Sequence, residues 1–251
     1  MKFTFWYDPV FANRIMRSRR SPMVVPMTPV NRFRDRSEAG QALARHLTAH
    51  TSQGDALVLA LPRGGVPVAQ EVAQHLDLPL DVFVVRKLGL PGHTELAMGA
   101  IASGGVRLLD DLLIAEQRVS PADIATVTAY ETAELKHRER LYRGNHPAPE
   151  IARRHIILID DGVATGYTMR VAVLALRRLN PARLTVAIPV GAPETCVALA
   201  GVVDDLICPV QPNPFHAVGL WYDHFPSITD KQVRNSLAQA AEVVAAHHGH
   251  R

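Results

Sequence analysis

From residue 156 to 159 the chain reads Ile-Ile-Leu-Ile, an apolar run with no polar break. A strand covered on both faces of a parallel sheet has this pattern, whereas a strand with one wet face alternates. The run stops at Asp160-Asp161, and Gly162, Thr165, Gly166 and Thr168 then punctuate a turn. Beyond it Val171, Ala175 and Leu179 recur every fourth residue, as one face of a helix does. Residues 56–61 form a second unbroken apolar strand, and Gly54-Asp55 before it closes a helix whose face is Ala39, Ala42, Leu43 and Leu47. Asp35 and Glu38 stand at capping-box spacing at the start of that helix, with Ser37 as the alternative cap. A helix over about 67–76 and a strand over 81–86, running into Arg86-Lys87, follow. Residues 88–95 lack a period and are broken by Gly and Pro, so they read as a mobile lid loop.

Residues 100–103 and 106–109 flank Gly104-Gly105 as a hairpin. Ser120-Pro121 opens a helix to about Tyr142, whose Glu134–Arg138 and Glu139–Arg143 spacings suit a solvated face. Strands are expected at 183–190 and 202–208, a helix or loop at 193–200, and a last helix at about 230–246 with its cap among residues 227–230. No internal repeat is visible. Strands alternating with helices predict one α/β domain, a mostly parallel central sheet flanked by helices, active at the C-terminal ends of its strands. Arg63, Lys87 and Asp160 fall at three such ends.

Composition changes the picture little. The chain has 251 residues, 47% apolar and 20% charged, and no stretch near the ~20 apolar residues of a membrane span. Its net charge of +3 is uneven: residues 1–30 hold Lys2, Arg14, Arg17, Arg19 and Arg20 against Asp8, leaving 22 basic and 23 acidic residues elsewhere. Basicity belongs to this leader, which argues against nucleic acid as a partner of the folded part. The leader contains four prolines, lacks the charge order of a secretory signal and is expected to be disordered or loosely docked. The folded domain is expected over 31–246, and 247–251 as a polar tail. Cys196 and Cys208 have neither metal nor redox spacing and fit a reducing cytoplasm.

The chemistry concentrates in two turns. Strand, acid pair, Gly/Thr turn and helix, in that order, aim backbone N–H groups at a helix N-terminus, which favours phosphate. Asp160 and Asp161 repel a phosphate, so they suit a neutral hydroxylated group or a cation. A phosphorylated sugar satisfies both needs, although acidic βα turns also occur without a ligand. The second turn, Pro62-Arg63-Gly64-Gly65-Val66-Pro67, allows close backbone approach through its glycines and offers the Arg63 fork to an oxyanion. Near the C-terminus, residues 212–225 gather Phe215, Trp221, Tyr222 and Phe225, a set suited to core packing or to a wall against a flat ring.

Asp160-Asp161-Gly162-Val163-Ala164-Thr165-Gly166-Tyr167-Thr168 resembles the phosphoribosyl pyrophosphate (PRPP) signature of type I phosphoribosyltransferases, and Arg63-Gly64-Gly65 resembles their pyrophosphate loop. The resemblance covers most of residues 33–235 and is nearest to bacterial members sharing the Arg-Gly-Gly-Val-Pro and Trp-Tyr segments. It implies that Asp160 and Asp161 hold the ribose hydroxyls, and that Gly162, Val163, Ala164, Thr165, Gly166, Tyr167 and Thr168 cradle the 5′-phosphate. Arg63, Gly64, Gly65 and Lys87 would take the pyrophosphate, with a cis peptide at Pro62–Arg63. His93 and Glu95 would belong to the lid, and Trp221, Tyr222 and Phe225 to a C-terminal hood that stacks on the base. Mg²⁺ would arrive on PRPP, with Asp160 and Asp161 as the protein groups able to reach it. The family is usually dimeric.

Two departures from the family pattern stand in this turn, the first bearing on the acceptor and the second on the shape of the phosphate loop. Hypoxanthine-guanine members carry aspartate where Ala164 stands, which points to an adenine-type base; Tyr167 replaces a small residue in the phosphate turn. The implied reaction moves the phosphoribosyl group from PRPP to a nitrogenous acceptor with release of pyrophosphate. A PRPP-sensing regulator without turnover, a nucleic-acid binder acting through the leader, and a ribose-phosphate phosphohydrolase or phosphorylase stay open as alternatives.

Overall fold

Two apolar runs separated by about a hundred residues of sequence lie side by side at the centre of the fold. The computed structural model describes residues 32–48, 55–144 and 146–248, with residues 243–248 by backbone alone. In chain order the elements are α1 (Arg36–Leu47), β1 (Ala56–Ala60), α2 (Gly65–Leu76), β2 (Leu80–Val82), β3 (Val85–Leu90), β4 (His93–Ala102), β5 (Val106–Leu109), α3 (Asp111–Glu116), α4 (Pro121–Arg143), β6 (His155–Ile159), α5 (Tyr167–Arg178), β7 (Arg183–Ala187), α6 (Pro193–Ala200), β8 (Asp205–Ile207) and α7 (Asp230–His248). Five strands form a parallel sheet in the order β2-β1-β6-β7-β8. Leu57 pairs with Ile156 and Val58 with Ile157, so the two apolar runs are in register.

The double-sided burial expected of these strands is what the fold uses. Ile157 and Ile159 join a core with Leu43 and Leu47 of α1, Val66 and Val72 of α2, and Val233 of α7. Ile156 and Leu158 face the other way, into Met169, Ala172 and Leu176 of α5 and Leu199 of α6. Each run is therefore wrapped by helices on both sides. Because β2 lies on one side of β1 and β6 on the other, the chain reverses its direction of progress between β1 and β6. The helices that follow these strands pack on opposite faces of the sheet, at the switch point where ligands of open α/β sheets bind.

The caps behave as their sequences require. Asp35 accepts from the Glu38 N–H at 2.9 Å, and the Glu38 carboxylate reaches back to the Arg34 N–H. Ser120 accepts from Asp123 N–H at 3.1 Å ahead of Pro121. Thr229 and Gln232 form a reciprocal cap at the start of α7.

Several expectations need correction. The strand read at 81–86 is two pieces: β2 ends at Val82, and the chain passes through buried Phe83 and Val84 into β3 of a second, antiparallel sheet, β3-β4-β5. Lys87 therefore does not end a strand of the parallel sheet; it lies within β3. Residues 88–95 are not an irregular loop but the tip of the β3–β4 hairpin, in which Leu90 pairs with His93 across Pro91-Gly92. Proline presets the first turn position and Gly92, at φ 76°, supplies the second, which is type II turn chemistry. Helix α2 starts two residues earlier than expected, at Gly65, and α3 was not anticipated. Arg143 is not on a solvated face: its side chain is 8% exposed and binds Asp81 at 2.8 Å as well as Glu139 at 3.1 Å. Helix α1 ends at Leu47, well before Gly54. The leader and residues 249–251 lie outside the described residues.

Candidate active site

The two turns of the switch point touch. A Cβ placed on Gly64 would sit 2.2 Å from Oδ2 of Asp161, and one on Gly65 would sit 3.1 Å from Oδ1 of Asp160 and 2.7 Å from the Ile159 carbonyl. Two glycines are thus required because the acid pair packs on them. The Pro62–Arg63 peptide is cis.

Both turns run straight into helices. Gly64 precedes α2 and Gly166, at φ 70°, precedes α5, and neither helix has a side-chain N-cap. Two helix N-termini without side-chain caps therefore flank the acid pair, an arrangement that favours anionic ligands, although in α2 the Gly65 and Val66 N–H groups already donate to the Leu61 and Arg63 carbonyls. The turn of residues 162–166 is braced from behind. The Val163 N–H donates to Val190 at 3.0 Å, and the Ala192 N–H donates to the Val163 carbonyl at 2.9 Å. The Thr195 hydroxyl donates to the Ala164 carbonyl at 2.6 Å, and its methyl lies 2.5 Å from where a Gly166 Cβ would stand. Gly162 and Val163 are buried, while Ala164, Thr165 and Thr168 are exposed on the open side. Tyr167, the departure from the family pattern, turns away from that opening: its ring joins the core and its hydroxyl donates to the Gly99 carbonyl of β4 at 3.3 Å. Burial pushes that phenol up to about 12.

Burial drives both carboxyls of the pair above the ordinary carboxylate range. Asp160 is pushed further by the charge of Asp161, and Asp161 is pulled back by Arg36. Asp160 Oδ1 also accepts from the Asp161 N–H at 2.9 Å. Arg36, on the first turn of α1, was not singled out by spacing or motif, since an arginine beside an N-cap is ordinary. Its Nε donates to Asp161 Oδ2 at 2.8 Å, its Nη1 donates to the Pro226 carbonyl at 2.8 Å, and its guanidinium lies 3.7 Å above the Phe225 ring.

The aromatic segment supports the acid pair from the same side. The Tyr222 hydroxyl donates to the Asp161 carbonyl at 2.5 Å, and its ring stacks on Phe225 at 4.9 Å and tilts against Phe33 at 5.6 Å. Backbone bonds from Phe33 to Trp221 and from Asp223 to Phe33 fix this segment to the chain entering α1. Tyr222 is buried between rings, and Phe225 lies between Tyr222 and Arg36, while Phe215 and Trp221 of the same segment are half-buried.

The remaining expected residues divide. Arg63 is exposed on its turn, near enough for its charge to act on the Tyr142 phenol. Lys87, His93 and Glu95 are exposed on the hairpin, where Lys87 Nζ donates to the Glu95 carbonyl at 3.2 Å. Among the described residues, no cluster of three or more His, Cys, Asp or Glu side chains could hold a metal. The acid pair alone fits a cation carried in on a ligand.

An open parallel sheet flanked by helices, with an acid pair and two helix N-termini at its switch point, defines an open α/β protein. The phosphoribosyl transferase domain model matches residues 34–220, and the chain belongs to that family. A Mycobacterium tuberculosis (strain H37Rv) protein provisionally named phosphoribosyl transferase is 41% identical over 209 residues, 83% of this chain and 47% of its own length. The chain thus spans about half the length of the curated relatives it matches. The crystal structure of TT1426 from Thermus thermophilus is 38% identical with a TM-score of 0.72, covering 83% of this chain and 98% of that one. A shorter match of 34% over 74 residues, 29% of this chain and 41% of the relative, is to the bifunctional protein PyrR of Bacillus mycoides.

Proposed function

We propose that the protein transfers the 5-phosphoribosyl group of PRPP to a nitrogenous acceptor, a nucleobase, with release of pyrophosphate. The observation that supports this reading is the packing of the Gly64-Gly65 turn directly on Asp160 and Asp161, as one ligand with a pyrophosphate, a diol and a 5′-phosphate would require. Asp160 and Asp161 accept the ribose hydroxyls, and the N–H groups of residues 164–168 hold the 5′-phosphate. Arg63 and the α2 N-terminus take the pyrophosphate, and the β3–β4 hairpin brings Lys87 over it as His93 and Glu95 close the site.

In the reaction the bond from C1′ to the pyrophosphate oxygen breaks with its electron pair leaving on pyrophosphate. The acceptor nitrogen supplies the pair for the new bond to C1′, and its proton passes to solvent. The transition state has oxocarbenium character, so positioning and electrostatics dominate. Asp160 and Asp161 would be the protein groups able to hold Mg²⁺ brought in with PRPP, and the ion would supply neutralisation of the leaving group's charge. Ala164 supports an adenine-type acceptor, with Trp221 as its wall. The same reading places the protein in the cytoplasm, in nucleotide metabolism and as a homodimer, with sedimentation equilibrium as the check on the dimer.

Calorimetric titration of Mg²⁺·PRPP tests the donor site. The wild type should bind saturably, and Asp160→Asn/Asp161→Asn should lose binding while keeping its circular dichroism spectrum. A screen of bases for pyrophosphate release then tests turnover. Binding without release from any base would favour a sensor, and phosphate release from ribose phosphates would favour a hydrolase.

A further inference from the structure

Arg36 is 8% exposed in its side chain, and Asp161 is 14% exposed in its own. A guanidinium that only tied α1 to the C-terminal segment would be served by the Pro226 carbonyl and the Phe225 face. Instead it occupies one oxygen of a carboxylate whose chemistry the ligand needs. That oxygen, Oδ2, is also the nearer to Gly64, at 2.2 Å from the vacant Cβ position against 3.2 Å for Oδ1. Arg36 and Gly64 together fix the rotation of the carboxylate, while Tyr222 holds the Asp161 backbone through its carbonyl. Oδ1 is left as the oxygen that Arg36 does not hold.

We propose that Arg36 is a positioning residue of the donor site: it locks the Asp161 carboxylate so that Oδ1 is presented to a ribose hydroxyl, making α1 and the 221–226 segment part of diol recognition. The inference rests on the donor-site reading above and adds a residue to it. A charge-assisted bond to a buried carboxylate is stronger than a neutral one, and its fork geometry sets direction as well as charge. Lysine at this position would keep the charge and lose the link to Pro226. The order of affinity should therefore be arginine, then lysine, then glutamine.

The test is calorimetric titration of Mg²⁺·PRPP into the full chain, in the wild type, Arg36→Gln, Arg36→Lys and Arg183→Gln. The last breaks the Arg183–Asp205 pair, at 2.6 Å on the far strands, and controls for loss of an ion pair as such. Arg36→Gln should bind about tenfold to a hundredfold more weakly, Arg36→Lys should fall between it and the wild type, and Arg183→Gln should match the wild type. In turnover with an accepted base, the PRPP KM should rise with kcat changed less than about threefold, the split expected of lost binding. Guanidinium ion added to Arg36→Ala should restore part of the affinity. Arg36→Gln binding as tightly as the wild type would overturn the inference and leave the donor site standing. Weakening that tracks melting temperature across all variants, Arg183→Gln included, would also overturn it. A wild type that does not bind Mg²⁺·PRPP would overturn both readings together.

Discussion

The paired turns of the switch point and the β3–β4 hairpin both carry basic, glycine and acidic residues, yet the fold treats them in opposite ways. The turns are held at several points. Gly64 and Gly65 are packed against the acid pair, Val163 is bonded to the 190–192 segment, Asp161 is held by Arg36 and Tyr222, and Thr195 presses on Gly166. The hairpin is anchored in the core through Leu88 and Leu90, but it leaves Lys87, His93 and Glu95 exposed, with a lysine contact within its own strands. Recognition of a fixed ligand calls for the first kind of region and closure over it for the second, because only a weakly held element can move at small free-energy cost. Substitutions in the turns should therefore weaken binding most, and substitutions in the hairpin should act mainly on turnover.

The largest effect is expected at Gly64. Gly64→Ala places a methyl at 2.2 Å from the Asp161 carboxylate, so either the turn or the acid must move. Overpacking of this kind costs about 1–3 kcal/mol of stability, and the displacement should weaken Mg²⁺·PRPP binding about hundredfold. Near-normal binding measured by calorimetry would show that the turn is not held at this point. Lys87→Ala sharpens the other side. Its kcat/KM for pyrophosphate release should fall about tenfold to a hundredfold, with the melting temperature within about 2 °C of wild type. A large drop in melting temperature would place Lys87 with the structural residues instead.

Asp160→Asn separates function from stability within the turns. Burial and the neighbouring Asp161 raise the Asp160 pKa, so the folded protein binds this proton more tightly than the unfolded chain does. Stability is then greatest below the ordinary carboxylate value of 3.8 and declines as pH rises from there through the raised folded value. At pH 7 the folded state bears that electrostatic cost, and asparagine removes it while keeping an oxygen for the Asp161 N–H. The variant should melt about 2–4 °C higher at pH 7 on a gain of about 1 kcal/mol, while losing PRPP affinity. A lower melting point in thermal denaturation would mean that the charged pair stabilises the fold.

How far this division was legible from residues alone follows from the range of the interactions. Continuous apolar runs at 56–61 and 156–159 announce double burial because solvent exclusion on both faces leaves no other pattern. The acid pair and its Gly/Thr turn are local features of a strand-to-helix junction. That Gly64 lies against Asp161 is not local: it depends on β1 and β6 becoming neighbours, as does the bond from Arg36 across 125 residues. Nothing within the sequence around Arg36 distinguishes it from a helix-start arginine facing water. Tyr222 and Phe225 were legible as aromatics but not as occupied ones, since their partners Phe33 and Arg36 come from the other end of the domain. The hairpin is a different case. Pro91-Gly92 is a local turn signal, and it was outweighed by the absence of alternation in strands whose register shifts at Leu88/Gly89 and Gly89/Leu90.

The smallest effect tests that correction and has a sign rather than only a size. If residues 88–95 were a mobile loop, Gly92→Ala would stabilise the protein, because alanine narrows the unfolded ensemble and a loop adapts. In the hairpin Gly92 sits at φ 76°, where a side chain is strained, although nothing lies within 4 Å of the new methyl. Steric clash is therefore excluded, and backbone conformation alone decides the outcome. Gly92→Ala should destabilise the hairpin by about 1 kcal/mol, and Gly92→Asn, which tolerates this region better, should lose less. Amide exchange at residues 88–96 reads the local change even if global melting barely moves, with faster exchange in alanine than in asparagine. Slower exchange in the alanine variant would restore the loop. Faster exchange would establish that the element carrying Lys87 moves as a paired strand, with its lysine direction set by the β3 register.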